Sequence, residues 1–241
     1  MSFPNQLLLQ NVAWAHEAGR RDPALFDRLR QGQQPKVLWI GCADSRVPAE
    51  IVTGARPGDI FVHRNIANLF LPHDDNTMSV LEYALYVLRV SDVVVCGHNG
   101  CGGVRAALEP PGHNMPRVEH RIGVLRQLAR RHGAELAAIA CLENRADRLA
   151  ELNVIEQART LETLPLVRNA LPRVCVHAWI FDVRNGLIRD LARAIDPSVD
   201  TGATGTSTAD VTTMPLSQVS WPDAHGGAAG QHVDQRSAAG R

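Results

Sequence analysis

Three short runs, Lys36–Ile40 (KVLWI), Ile60–Val62 and Asp92–Cys96 (DVVVC), are apolar without polar alternation, and Val174–Phe181 (VCVHAWIF) is a fourth strand-like run. A strand with one face in water alternates apolar and polar residues, whereas a strand covered on both faces does not. These runs therefore require a sheet with other elements packed on both sides. The segments between them supply such elements. Leu81, Leu85 and Leu88, with Ala84 beside them, share one face of a helix over about 77–88. A basic amphipathic pattern covers about 118–131, and a longer one about 145–169 that Pro165 kinks or ends. An N-terminal helical arm over about 5–31, interrupted near Pro23, precedes the first run. Strands alternating with helices predict an α/β domain with a central, mostly parallel sheet. Arg184-Asn185-Gly186 separates two strand-like runs, and Asn-Gly in that setting predicts an antiparallel hairpin at the sheet edge.

With 241 residues and 45% hydrophobic content, one large α/β domain over 1–196 can bury a core. Beyond it, 197–241 is rich in Gly, Ser, Thr and Ala, with Trp221 its one aromatic. Such a stretch buries too little apolar surface to offset its ordering entropy, so a disordered tail is expected. Lys+Arg and Asp+Glu both number 25, which gives no electrostatic reason for a nucleic-acid or anionic-membrane partner. No apolar run reaches the length of a membrane span, and the first residues lack the pattern of a secretory signal. Five cysteines, an odd count, fit a reducing compartment, and a cytoplasmic location is expected.

Chemistry concentrates in two motifs that each follow a strand: Gly41-Cys42-Ala43-Asp44-Ser45-Arg46 and Gly97-His98-Asn99-Gly100-Cys101-Gly102-Gly103. Parallel strands end on one sheet edge, which is where α/β proteins place ligands, so Cys42 and His98 are brought together despite their separation in sequence. His98-x-x-Cys101 lets one tight turn present two groups to a single ion, with the flanking glycines permitting positive φ and close backbone approach. Two thiolates and an imidazole suit tetrahedral Zn2+, and three protein ligands leave the open position that a catalytic site needs. Asp44 lies two residues beyond Cys42 and can share its face, and Arg46 can hold that carboxylate by charge-assisted hydrogen bonds. Singly, a cysteine at a strand end is usually a small buried hydrophobe; jointly, these residues read as a zinc site with a carboxylate in reach. Cys96, Cys141 and Cys175 are expected to be packed thiols, and His63 and His177 structural histidines. Arg126, Arg130, Arg131 and His132 read as a solvated helix face.

LWIGCADSRVPAE (38–50), FVHRNIAN (61–68), VCGHNGCGG (95–103), LNVIEQ (152–157) and VHAWIFDVRNGLIRDL (176–191) resemble the signature segments of the β-class carbonic anhydrases, over about residues 5–195. The resemblance implies one Zn2+ per subunit on Cys42, His98 and Cys101, and a catalytic dyad of Asp44 and Arg46. It implies reversible hydration of carbon dioxide to bicarbonate and a proton by zinc-bound hydroxide. Tyr83, Val87 and Gly102 would line the substrate pocket, at a cleft formed by self-association as a dimer or tetramer through the N-terminal helix. One subgroup of the family, which this chain resembles at Trp39 and Arg64, lets the aspartate close the zinc site when pH falls, and bicarbonate bound beside that Trp and Arg favours the closed state. The position of the tyrosine in that bicarbonate pocket is Phe181 here. The motifs are shared by carbon disulfide and carbonyl sulfide hydrolases, and a non-catalytic zinc or bicarbonate-sensing module closed by Asp44 is a further alternative.

Overall fold

In a computed structural model of the chain, which describes residues 1–111 and 114–191, the apolar runs lie side by side in one five-stranded sheet. Strands β1 (Val37–Cys42), β2 (Ile60–Asn65), β3 (Asp92–His98), β4 (Cys175–Asp182) and β5 (Leu187–Asp190) stand in the order β2-β1-β3-β4-β5. All neighbours pair in parallel except β4 with β5. The described residues fall within one unit, Met1–Asp200. The expected tail, 197–241, lies outside the described residues.

Both faces of the central strands are covered, as the lack of alternation demands. On one face Leu38, Ile40, Val93, Val95, Ala178 and Ile180 pack with apolar residues of the helices. On the other, Trp39, Val94, Cys96 and Phe181 form a smaller core with Val47 and Ala49. The covering helices include α4 (Asp75–Glu82), α5 (Gly102–Leu108), α6 (Pro116–Arg131) and α8 (Leu142–Thr163). Short α3 (Ala49–Thr53), α7 (Gly133–Ala137) and α9 (Pro165–Arg168) complete this part of the fold. Asp74 caps α4 by accepting from the Asn76 N–H, and the helix continues as a π-helical turn over Tyr83–Leu88. Leu81, Ala84 and Leu85 of this run are buried, as the spacing predicts. Pro165 does not kink α8; it opens α9 after α8 has ended, where its missing N–H costs nothing.

The N-terminal arm is a helix α1 (Phe3–Arg21) and a short α2 (Leu25–Leu29), joined by an edge contact between Trp14 and Phe26 with ring centroids 6.1 Å apart. Neither helix has a buried residue, and α1 exposes Phe3, Leu7, Leu8, Leu9, Val12 and Trp14. The β4–β5 connection is the predicted hairpin. Gly186, at φ 75°, is its left-handed residue, and its N–H donates to Asp182 O at 2.8 Å.

Three expectations are corrected. Cys141 and Cys175 are exposed, because one sits at the N-cap of α8 and the other at the very start of β4, both at the rim of the core. Arg126 is not part of a solvated face: it pairs with Glu119 at 2.8 Å and donates to the carbonyl oxygens of Ala107 and Glu109, tying α6 to the end of α5. His63 and His177 are structural as expected, the first bonded to Asn65, the second to Asp92 at 2.7 Å.

Candidate metal centre

Cys42 is the last residue of β1 and His98 the last of β3, so both side chains stand at the carboxyl edge of adjacent parallel strands. Cys101 arrives by the tight turn that links β3 to α5. The ligand atoms of Cys42, His98 and Cys101 all lie within 4.8 Å of one another, and all three residues are buried. The two sulfurs are 3.9 Å apart. That is far too long for a disulfide and close to the roughly 3.8 Å that two thiolates at about 2.3 Å from a tetrahedral ion would keep.

His98 supplies a second test of fit. Its Nδ1 lies 2.9 Å from Asn99 O. A carbonyl oxygen only accepts, so Nδ1 carries the hydrogen and Nε2 is left with a bare lone pair. That Nε2 is buried and has no hydrogen-bond partner. An orphaned buried acceptor costs about 1–3 kcal/mol unless something meets it, and a cation between the two sulfurs does so. The donor set therefore fits zinc.

The electrostatics of the cysteines separates the site from the rest of the chain. Cys42 is held down to about 4, chiefly by its hydrogen bond with the Cys101 sulfur and against its own burial. Cys101 is pushed up by the same contact with Cys42 and by burial. Cys96, two residues before His98, is pushed up to about 12 by burial and is an inert thiol.

Asp44 faces the triad, its Oδ2 3.8 Å from His98 Nε2. Arg46 grips it in a fork: Nε donates to Oδ1 at 2.9 Å, Nη2 to Oδ2 at 2.7 Å, and the Arg46 backbone N–H adds a third bond at 3.0 Å. These bonds hold the Asp44 carboxyl well below the usual carboxylate range despite partial burial. Arg46 Nη2 also donates to Gly100 O at 3.0 Å, which fastens the first motif to the second.

The glycines of the second motif do different jobs. Gly100 alone takes a positive φ, 66°. Gly97 and Gly103 serve close approach: a Cβ would lie 2.6 Å from Val154 Cγ2 in the first case and 2.9 Å from Ile66 Cγ2 in the second. Gly102 is the first residue of α5, directly after Cys101.

Trp39 is buried, edge-on to Trp179 at 6.1 Å, and its indole lies over Gly41. Arg64 is opposite Gly41 in the β1–β2 register and donates to the carbonyl oxygens of Cys42 (2.8 Å) and Asp44 (2.5 Å). Phe181 is opposite His98 in β4 and packs in the small core with Trp39. Tyr83 and Val87 are exposed on the π-helical turn, Tyr83 lying 5.8 Å from Phe61.

Sequence reasoning missed the supports beneath the site. Asn153 Nδ2 donates to Ala67 O at 3.0 Å, its Oδ1 accepts from Gln157 Nε2, and Gln157 Oε1 accepts from the Phe70 N–H. Together they hold the segment 66–70, in which Ala67 and Asn68 take left-handed φ of 62° and 48°, against Gly103. Buried polar residues inside the apolar face of α8 were the one available signal.

Residues 37–188 match the carbonic anhydrase family. The chain is 41% identical over 192 residues to a carbonic anhydrase of Emericella nidulans, covering 78% of this chain and 82% of that one. Among solved structures it is similar to a tetrameric β-carbonic anhydrase of Sordaria macrospora, at 39% identity and a TM-score of 0.75, covering 78% of this chain and 95% of that one. It is also similar to a β-carbonic anhydrase of Aspergillus fumigatus, at 40% identity and a TM-score of 0.77, covering 81% and 94%.

Proposed function

The chain belongs to the β-class carbonic anhydrase family, and from that premise we infer that it is a zinc lyase interconverting carbon dioxide and water with bicarbonate and a proton. The observation that carries the reading is the buried Cys42–His98–Cys101 triad with an Arg46-held carboxylate facing it. Zinc, when bound, supplies Lewis acidity that makes water a usable nucleophile near neutral pH.

The chain's residues do the rest. Cys42 Sγ, Cys101 Sγ and His98 Nε2 would hold the ion, and Asn99 O fixes the His98 tautomer. Two thiolate ligands would temper its charge more than a three-histidine set does. Asp44, charged and therefore acceptor-only, takes a hydrogen bond from the attacking oxygen and so turns its free lone pair toward carbon dioxide. Arg46 keeps Asp44 ionised and fixed in place. Tyr83, Val87 and Gly102 line the substrate pocket in this reading. Stopped-flow hydration with zinc analysis, on the native chain and on Asp44→Asn, tests it. The native chain should turn over and Asp44→Asn should fall by at least about 100-fold; full activity in the variant at alkaline pH would refute the dyad. The relatives are named carbonic anhydrases, which favours carbon dioxide over a sulfur-containing substrate or a sensing role without catalysis.

The regulated behaviour is a finer proposal. Asp44 would leave Arg46 and join Cys42, His98 and Cys101 as a ligand as pH falls, and bicarbonate held near Trp39 and Arg64 would favour that closed state. Its support is that Arg64 bonds directly to the backbone of Cys42 and Asp44, so an anion drawing on Arg64 pulls on the loop that carries Asp44. Crystal structures with and without bicarbonate test it: an Asp44 oxygen never within about 2.2 Å of zinc rules it out. Phe181 lacks a hydroxyl to hold the anion, so Phe181→Tyr should strengthen bicarbonate inhibition.

We also propose one Zn2+ per subunit, a catalytic unit spanning 1–196, and self-association through the unburied apolar face of α1. Metal analysis, limited proteolysis and light scattering check these in turn. Cytoplasmic residence is proposed from the five free cysteines, two of which must stay reduced to bind metal; cell fractionation checks it. Among the described residues no helix is long and apolar enough to cross a membrane.

A further inference from the structure

The turn between His98 and Cys101 has every peptide polar group at its centre committed. Asn99 N–H donates to Phe181 O of β4 at 3.0 Å, and Asn99 O accepts from His98 Nδ1. Gly100 O accepts from Arg46 at 3.0 Å. The last group, Gly100 N–H, donates to Asp147 Oδ1 at 2.7 Å. Asp147 is largely shielded from solvent on α8, and its other oxygen lies 3.5 Å from Arg184 Nη1 on the β4–β5 hairpin.

Asp147 touches neither the triad nor Asp44 in any of these contacts, yet it holds the peptide that enters Gly100, while Arg46 rests on the carbonyl of the peptide that leaves it. Gly100 stands in a left-handed conformation with nothing within 4 Å of where its Cβ would be, so nothing packs at that position to fix how the two peptides on either side of it are set. The two hydrogen bonds do so. We propose that Asp147 is a positioning residue for the hydration reaction: by pinning Gly100 on its N–H side it sets the carbonyl that orients Arg46, and through Arg46 it sets Asp44. The proposal rests on the carbonic anhydrase reading of the site and extends its machinery by one residue, with Arg184 steadying it from the hairpin.

The test compares the full-length zinc protein with Asp147→Ala, Arg46→Ala and the double variant, measuring kcat, KM, zinc content and thermal midpoint. Asp147→Ala should lower kcat about tenfold with KM changed less than about twofold, since the lost contact orients a catalytic group rather than binding substrate. Zinc content should equal the parent's. The double variant should be no slower than Arg46→Ala alone, because both substitutions remove one linkage. Multiplicative losses in the double variant, or reduced zinc with an unchanged rate per zinc, would make Asp147 a structural anchor only and overturn the proposal. If Asp147→Ala does not fold, Asp147→Asn and Asp147→Glu decide. The amide keeps an acceptor in place and should stay within about threefold of the parent, whereas the longer carboxylate misplaces it and should fall about tenfold; the reverse order overturns the proposal. A parent without hydration activity would instead refute the functional reading on which the proposal rests.

Discussion

Gly97→Ala offers a direct measurement of how tightly β3 is seated on α8. The added methyl would be 2.6 Å from Val154 Cγ2 and 3.3 Å from Ile180 Cδ1. The first distance is about 1 Å inside the optimal carbon–carbon separation of roughly 3.5–4.0 Å. Val154 and Ile180 are both fully buried, so neither can rotate into open space. Overpacking of this kind costs about 1–3 kcal/mol. Val154→Ala removes the obstructing methyl, and alone should cost roughly 2–3 kcal/mol from lost burial and the residual cavity. In the double variant the new methyl occupies part of that cavity, so the combined loss should be about 1–2 kcal/mol smaller than the sum of the two. Urea unfolding of all four proteins, with equal m-values as the control, gives the coupling. His98 follows Gly97 directly, so hydration activity should fall in Gly97→Ala and recover in the double variant. Additivity within about 0.5 kcal/mol would refute the claim that contact with α8 is what requires glycine here.

Asn153→Leu strands Ala67 O and Gln157 Nε2 inside the core, and should cost about 2–4 kcal/mol in denaturant unfolding at little change in volume. His63 has a lowered pKa, chiefly from burial, then from the Arg121 guanidinium, partly countered by the Asp74 carboxylate. The unfolded chain therefore takes up this proton first as pH falls below about 6.5, and stability declines there; His63→Gln should flatten that limb of the stability-versus-pH curve. Zinc chelation should lower the thermal midpoint of the native chain and leave that of Cys42→Ser unmoved, because ligand binding to the folded state is what a chelator removes.

The parts of this design that were legible from sequence are those with a short-range physical signature. Unbroken apolar runs announce strands covered on both faces, and the 37–42 and 92–98 segments lie together in the sheet as that pattern requires. The triad was legible because its residue types are scarce and its motifs end adjacent strands. The supports were not. Asp147 looks like any solvated acid on a helix, and only the tertiary packing of α8 under the 98–101 turn gives its carboxylate a peptide N–H to accept. Cys141 and Cys175 were misjudged for a related reason: apolar neighbours in sequence do not bury a residue at the first position of an element. Arg126 likewise turns inward because the end of α5 leaves two carbonyl oxygens that need donors.

The two sulfurs of the metal centre come from residues 59 apart, on either side of a parallel crossover. No local hairpin or nascent helix can bring them together, so loop-closure entropy must be met before the centre exists at all. Completion of the three-ligand centre is therefore expected to wait for pairing of β1 with β3, and a chromophoric metal probe that reports thiolate ligation would time that step. The affinity of the centre then adds to the stability of the parallel sheet itself, so starvation for zinc weakens the scaffold along with the chemistry.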